Sequence, residues 1–330
     1  MVLNAAVIGM GMMGRNHARV YAQMPETRLV AVADPDAEAL EPTIRTYKAQ
    51  PYTDCVQMLD EEKLDLVSVA VPTRLHRGVA IAAMTRGLHV FIEKPISISV
   101  VEGQEIIDCA RSEGVKLAVG HIERFNPAVI ELRKQLDAGN LGRIFQIHAR
   151  RVGPFPPRVE DVGVVIDLAT HELNVLEYLV GSPVVSVYAE TEREIHAKHE
   201  DLLTGILKFG DGTIGILDVN WLTPTKIREL SLIGEKGMFS VNYLTQDLFF
   251  YENDYLNGNW EGLAIMGVSE GRKIRHKIKR KEPLRAELES FVEAVEHDTA
   301  PQIGGEEALR AVYLAQRLLE SGRKHKVILV

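Results

Sequence analysis

The chain has 330 residues, 46 acidic against 38 basic side chains, and a net charge of −8. That length exceeds the ~250–300 residues at which a single hydrophobic core stops growing, so two domains are expected. The acidic balance argues against a nucleic-acid surface, and no run of ~18 uninterrupted apolar residues is available to span a bilayer.

The apolar N-terminus lacks a basic leader and runs directly into a glycine-rich turn, so it reads as a first strand rather than a signal peptide. That turn, Val7-Ile8-Gly9-Met10-Gly11-Met12-Met13-Gly14 followed by Arg15-Asn16-His17, joins a strand to a helix through three glycines. Gly9 permits the tight turn, Gly11 lets the backbone approach a pyrophosphate, and Gly14 lets the helix pack closely on the strand. The N–H groups of the helix start are then free for the anion. The second apolar run, Leu29–Ala33, ends in Asp34, about 20 residues on, where an acid takes the ribose hydroxyls. Asp34 would repel a 2′-phosphate and Pro35-Asp36 supply no arginine to hold one, so NAD is expected rather than NADP.

Short apolar runs at Leu64–Val71, His89–Ile92 and Val115–Val119 continue the series as buried parallel strands. Helices are predicted between them at Met13–Met24, His76–Arg86 and Val100–Ser112. The last follows Ser97 and Ser99 as candidate caps and is ended by Gly114. Right-handed crossovers then give a doubly wound sheet over residues 1–122, with ligands along the C-terminal strand ends. Cys55 and Cys109, the only cysteines, have no metal-ligand spacing and fit a reducing cytoplasm.

Beyond that sheet the pattern turns to period-two alternation: Phe145–His148, Val184–Glu190, Leu202–Phe209, Thr213–Val219 and Ile227–Ile233 read as antiparallel strands. Phe209-Gly210-Asp211-Gly212-Thr213 is a hairpin signal, because Asp-Gly tolerates positive φ. Helices are predicted at Ile166–Leu179, Leu284–Glu296 and Gly305–Ser321. Residues 123–330 are therefore expected to form one α+β domain.

Four stretches carry candidate chemistry. Glu93-Lys94-Pro95 puts a lysine at a strand end, where it can polarise a substrate oxygen and share in proton transfer, or else merely cap a surface turn. Asp167 and His171, four residues apart on a predicted helix, share a face, so the carboxylate can orient an imidazole that takes an alcohol proton; a solvated pair is the competing reading. A zinc reading of His171-Glu172 fails, because position 175 is Val where the metalloprotease motif needs a second histidine. Gly120–Pro127 gathers His121, Glu123, Arg124 and Asn126 where one domain hands over to the next, as a binding cluster or a solvated linker. Arg150-Arg151-Val152-Gly153-Pro154-Phe155-Pro156-Pro157-Arg158 reads as a stiffened loop whose three arginines could hold an anionic group, or as a rigid connection. The basic run Arg272–Lys281 is read as a charged surface strand rather than a nucleic-acid site.

Together, the glycine turn with Asn16-His17, Val71-Pro72-Thr73 with His76, Glu93-Lys94-Pro95, and Asp167 with His171 resemble the glucose-fructose oxidoreductase, inositol dehydrogenase and rhizopine catabolism (Gfo/Idh/MocA) family across the whole chain. The resemblance implies an N-terminal Rossmann domain, a C-terminal open-faced, mainly antiparallel sheet for substrate and homo-oligomer contacts (dimer or tetramer), and NAD(P)-dependent chemistry on sugar-like carbons. It carries cofactor roles onto Gly9, Gly11, Gly14, Asp34, Thr73, His76 and Glu93, with Met12, Met13, Lys94 and Pro95 in the same segments. Catalytic roles pass to Lys94, Asp167 and His171.

Gly120–Pro127 and Asp161–Leu168 look like the UDP-N-acetylglucosamine 3-dehydrogenase branch, which oxidises the sugar C3 hydroxyl to a ketone for a partner aminotransferase. Lys94, Arg124, Asn126, Arg150, Arg151, Arg158 and His171 would then meet a substrate bearing a pyrophosphate. Two rivals remain from the sequence: a dehydrogenase of a free sugar or polyol such as myo-inositol, and a non-catalytic NAD-sensing protein on the same fold. No metal, nucleic-acid or membrane partner is expected.

Overall fold

The computed structural model describes residues 2–156, 162–254 and 269–330. They divide into two compact units, Met1–Ile122 with Glu282–Tyr313, and Glu123–Lys281 with Leu314–Val330.

The first unit is built on six parallel strands: β1 (Leu3–Ile8), β2 (Thr27–Ala33), β3 (Gln50–Tyr52), β4 (Leu66–Val69), β5 (His89–Glu93) and β6 (Leu117–Gly120), in the order β3-β2-β1-β4-β5-β6. The strands read as continuous apolar runs because both faces are covered. Alternation sends Ala6 and Ile8 of β1, with Val67 and Val69 of β4, into a core completed by Ala80, Ala83, Ile106 and Ile107. Ala5 and Val7 face the opposite core with Ala18, Val20 and Tyr21.

Helices α1 (Met12–Gln23), α2 (Ala37–Tyr47), α3 (Cys55–Glu61), α4 (His76–Met84) and α5 (Val100–Glu113) cross between the strands. Three start on a side-chain cap: Asp36 accepts from Glu38 N, Asp54 from Val56 N and Ser99 from Glu102 N. α5 ends on Gly114 at φ 68°, the left-handed cap its position predicted. α2 and α3, with the short β3 between them, were not foreseen. Their caps at Asp36 and Asp54 were the available signal.

The chain does not cut once. The helix Pro283–Glu296 returns to the first unit, burying Leu284, Leu288, Phe291 and Val292 in the α1 core, each worth roughly 1.5–3 kcal/mol. The expectation of one continuous second domain over 123–330 is corrected accordingly: four apolar side chains outweigh continuity of sequence.

The second unit carries β7 (Ile144–Pro154), β8 (Val184–Glu192), β9 (Leu202–Phe209), β10 (Ile214–Asn220), β11 (Leu222–Gly234), β12 (Gly237–Asn242), β13 (Asp247–Asp254), β14 (Ser269–Arg275) and β15 (Ile328–Leu329). Their order is β14-β13-β12-β11-β7-β10-β9-β8-β15, and among the described residues of this sheet only β7 and β10 pair in parallel. The β9–β10 hairpin turns through Gly212 at φ 96°, with Phe209 N bonded to Thr213 O at 3.0 Å.

Alternation gives this sheet a buried face, with Ile147, Ala149, Leu217 and Val219, and an opposite one on which Ile206 and Ile214 are exposed. α6 (Pro127–Asp137), α7 (Thr170–Val180) and the part of the helix Gly305–Lys324 from Leu314 onward also belong to the unit. The basic run forms β14 and the segment after it: Arg272 pairs with Glu252 at 2.6 Å, Arg275 with Asp247 at 2.7 Å, and Lys273 Nζ lies 4.8 Å from the Phe249 ring centre. Among the described residues no helix is long and apolar enough to cross a membrane, and no cluster of three or more His, Cys, Asp or Glu could hold a metal ion.

Candidate active site

In the first unit, the segments that follow β1, β2, β4 and β5 bring Gly9–Gly14, Asp34, Val71–Thr73 and Glu93–Pro95 to the C-terminal edge of the sheet, the ligand edge of a doubly wound fold. Gly9 has φ 91°, and a Cβ there would lie 2.6 Å from Ala70 O. A Cβ on Gly14 would collide with the Gly9 carbonyl, so this glycine sets helix–strand packing. Gly11 differs: its Cβ would meet nothing within 4 Å. It is also the N-cap of α1, with no side chain capping the helix. Open space beside uncapped N–H groups of the first turn is what a dinucleotide pyrophosphate requires.

Asp34 does more than wait for a ribose. Its Oδ2 accepts the Met10 N–H at 2.6 Å and its Oδ1 the Asp36 N–H at 2.9 Å, so the acid also fixes the glycine turn. Each oxygen keeps a second lone pair for a hydroxyl. These residues fit an NAD molecule.

His76 is placed otherwise than its expected cofactor role requires. It is buried, Nδ1 lies 2.9 Å from Pro95 O and Nε2 3.0 Å from Val71 O. Both ring nitrogens face backbone carbonyls, so the side chain braces the loop after β4 against the loop after β5 instead of offering an N–H to a ligand. Burial lowers its pKa, against the opposing pull of the Pro95 and Val71 carbonyls and of Glu93. As a neutral ring it donates to only one of the two carbonyls. Thr73 opens a short 3-10 turn leading into α4. Lys94 follows Glu93 at the end of β5 and is half-buried, and its peptide bond to Pro95 is cis.

In the second unit, Asp167 and His171 stand where a π-helical turn, Val165–Ala169, runs into α7. The predicted continuous helix over Ile166–Leu179 is thus wider in its first turn, a geometry frequent at functional sites. His171 is buried in the first turn of α7, while Asp167 is half-buried. The turn is held from the loop before β9: Glu200 Oε1 accepts from Val165 N at 3.2 Å and its carbonyl from Val164 N at 2.9 Å. Asp201 is fully buried and collects the N–H groups of Glu194, Ile195 and His196. Burial raises the Asp201 pKa, but these N–H donors outweigh it and bring the carboxyl below its ordinary range.

The arginines need correction. Arg150 and Arg151 lie within strand β7, not in a loop, so alternation points them to opposite faces. Arg151 is buried and donates to Glu172 through Nε and to Glu123 Oε1 through a terminal N–H at 2.5 Å. Two carboxylates already engage it, so it is not an anion clamp. Arg150 is more open, with Nε 3.4 Å from Asp218 Oδ2. Arg158 lies outside the described residues.

Arg124 is buried with its guanidinium 3.6 Å from the Tyr178 ring centre. Asn126 caps α6, accepting from Ala128 N at 3.1 Å and donating to Tyr243 O at 3.0 Å. Its amide is committed to the fold, which displaces the expected substrate role.

What sequence reasoning missed is the cluster these residues form. Glu172 Oε2 accepts the Tyr243 hydroxyl at 3.0 Å, and Arg228 donates to Val152 O at 2.6 Å. Burial raises the Glu172 pKa, although Arg151 opposes it. Burial and the like charge of Arg151 push Arg228 down to about 10, against the pull of Glu172, Glu123 and Asp167. The signal available was a glutamate beside Leu173, Val175 and Leu176, at a helix position next to the buried apolar stripe.

Residues 3–121 match the oxidoreductase family with an NAD-binding Rossmann fold, Gfo/Idh/MocA, and residues 129–240 match the Gfo/Idh/MocA C-terminal domain. The UDP-N-acetylglucosamine 3-dehydrogenase of Acidithiobacillus ferrooxidans is 29% identical over 293 residues, 89% of this chain and 88% of that one. A solved structure of that enzyme superposes with a TM-score of 0.85 at 27% identity, covering 97% of each chain. Inositol 2-dehydrogenase 4 of Saccharopolyspora erythraea is 32% identical over 189 residues, 56% of either chain.

Proposed function

The chain belongs to the Gfo/Idh/MocA oxidoreductase family, and we propose that it oxidises the C3 hydroxyl of a UDP-linked N-acetylhexosamine to the 3-keto sugar. It is an NAD(P)-dependent oxidoreductase with an NAD-binding Rossmann domain, which sets aside the non-catalytic reading. The observation that carries the finer reading is the near full-length similarity to a UDP-N-acetylglucosamine 3-dehydrogenase.

NAD, when bound, supplies the hydride acceptor. The chain's residues do the rest. Lys94 polarises the reacting oxygen, His171 takes the hydroxyl proton, and Asp167 orients His171. Arg150, on the face of β7 opposite Arg151 and beside Asp218, is set apart from the Arg151–Glu172 pair next to His171. The exposed Ile206 and Ile214 on the open sheet face support a homo-oligomer, and the sparse cysteines support a cytoplasmic setting. A ketone product also calls for an aminotransferase partner.

A second reading, oxidation of a free polyol, is favoured by the similarity to an inositol 2-dehydrogenase. Absorbance at 340 nm separates them, with NAD and UDP-N-acetylglucosamine, its galacto epimer or myo-inositol, and with glutamate and an aminotransferase added to draw the oxidation forward. A rise with a UDP sugar alone is expected. A rise with myo-inositol alone overturns the nucleotide-sugar reading.

A further inference from the structure

Behind the Glu93 carboxylate runs a chain of buried hydrogen bonds. His17 Nε2 lies 2.8 Å from Glu93 Oε1, and His17 Nδ1 lies 3.0 Å from Ser68 Oγ. Ser68 Oγ in turn lies 2.8 Å from the Tyr21 hydroxyl oxygen. His17, Ser68 and Tyr21 are each 0% exposed. The chain ties three elements together, since His17 and Tyr21 sit one turn apart on α1, Ser68 lies in β4 and Glu93 ends β5.

Chemistry fixes the direction of each bond. A carboxylate only accepts, so His17 Nε2 carries the hydrogen that goes to Glu93. In the neutral ring Nδ1 then accepts from the Ser68 hydroxyl, and Ser68 Oγ accepts from Tyr21. The tyrosine is suited to end the chain as a donor. Burial pushes its pKa far up, Ser68 opposes this, and Glu287 adds to it.

The carboxylate is held on its other side too. Glu93 Oε2 accepts the Lys94 backbone N–H at 3.3 Å, and a Cβ on Gly120 would lie 3.2 Å from the same oxygen, so β6 ends in a residue that leaves it room. Burial by itself would raise the Glu93 pKa. The hydrogen bond from His17 outweighs it, with the Lys94 charge beside it, and the carboxyl stays below its ordinary range. His17 on α1, Lys94 at its own strand end and His76 at the start of α4 are the titratable groups that the described residues set against Glu93.

An apolar side chain at position 17 would fill the α1 core equally well, with Gly14, Ala18 and Tyr21 on the same buried stripe. Three polar groups are buried here instead, and they lead to one oxygen beside the lysine. We propose that His17 is a positioning residue for the reaction: oriented from behind by Ser68 and Tyr21, it fixes the Glu93 carboxylate and through it the neighbouring Lys94. The inference rests on the reading of Lys94 as the group that acts on the substrate oxygen.

The test uses the full chain and its His17→Ala and His17→Gln variants. The imidazole nitrogens of protein labelled with 15N-histidine need no turnover; the signal missing from His17→Gln belongs to His17. A hydrogen on Nε2 is expected, and a ring that carries its hydrogen on Nδ1 alone overturns the arrangement.

With whichever sugar is turned over, His17→Ala should lower kcat about 10–100-fold, the scale of losing a group that orients another, while KM for NAD stays within about threefold. The acid limb of kcat should move to higher pH, because Glu93 has lost the donor that favours its charged form. His17→Gln, whose amide N–H can replace Nε2, should recover most of both. A loss confined to KM or melting temperature, an unmoved acid limb, or a folded His17→Gln no better than His17→Ala overturns the proposal. If no sugar is oxidised, the proposed function alone fails. The tautomer and the acid-side loss of NADH affinity, which should move to higher pH in His17→Ala and overturns the proposal if it does not, still decide this one.

Discussion

Arg151 and Glu172 are ion-paired inside the second unit, with the arginine 5% and the glutamate 0% exposed. One pair of charges thereby joins the central strand β7 to the residue after His171. Removing one partner of a buried pair strands the other without solvent. Arg151→Met, which leaves Glu172 and Glu123 uncompensated, should cost about 3–5 kcal/mol. Glu172→Gln keeps an oxygen acceptor for Arg151 and should cost less. Urea unfolding midpoints of the two variants check the order, and equal stability would mean the cluster is not the tie it resembles.

The three glycines of the first turn should separate in their effects. Gly14→Ala puts a Cβ against the Gly9 carbonyl and should lower the melting temperature. Gly11→Ala meets open protein space, so the apoprotein should melt as wild type while NADH affinity falls about tenfold or more, because the methyl occupies pyrophosphate room. Melting curves with a fluorescence titration of NADH read both.

Asp34 has two functions that one substitution can divide. Asp34→Asn retains an oxygen for the Met10 N–H but removes the charge opposing a 2′-phosphate. The ratio of NADPH to NADH dissociation constants should fall about tenfold or more. An unchanged ratio in paired titrations would remove Asp34 as the source of NAD preference.

His76 predicts a pH dependence of stability with a definite sign. Its folded pKa lies below the ordinary 6.5, so in the window just under pH 6.5 the unfolded chain binds the proton and the folded chain does not. Stability is therefore full above 6.5 and declines as pH falls toward the folded pKa. The melting temperature of wild type should drop more between pH 7.5 and 5.5 than that of His76→Asn. Parallel curves would show that His76 titrates alike in both states.

The open sheet face should carry self-association. Ile206→Glu, at a residue 51% exposed in β9, should shift the solution mass toward monomer while leaving the melting temperature within a few degrees. Light scattering after size-exclusion chromatography measures it, and an unchanged mass moves the contact elsewhere.

By itself the sequence determined the local chemistry. Gly9 and Gly14 declare their turn because only glycine tolerates that φ and that approach, and Gly11 because a pyrophosphate needs the space a side chain would take. Continuous apolar runs declare parallel strands, alternating runs declare an antiparallel sheet, and Ser99 and Gly114 mark the ends of one helix. Tertiary structure decided what no local pattern encodes. The charge of Arg151 reads as a ligand for phosphate in a linear string, and only the fold shows that Glu123 and Glu172, 28 residues before and 21 after it, have already neutralised it. Asn126 looked like a site residue and became a cap, and His76 looked like a cofactor contact and became a brace. The helix Pro283–Glu296 belongs to the first unit although some 160 residues lie between. In each case the deciding quantity is burial. Removing a polar or charged group from water demands a partner, and that partner is chosen by proximity in space rather than along the chain.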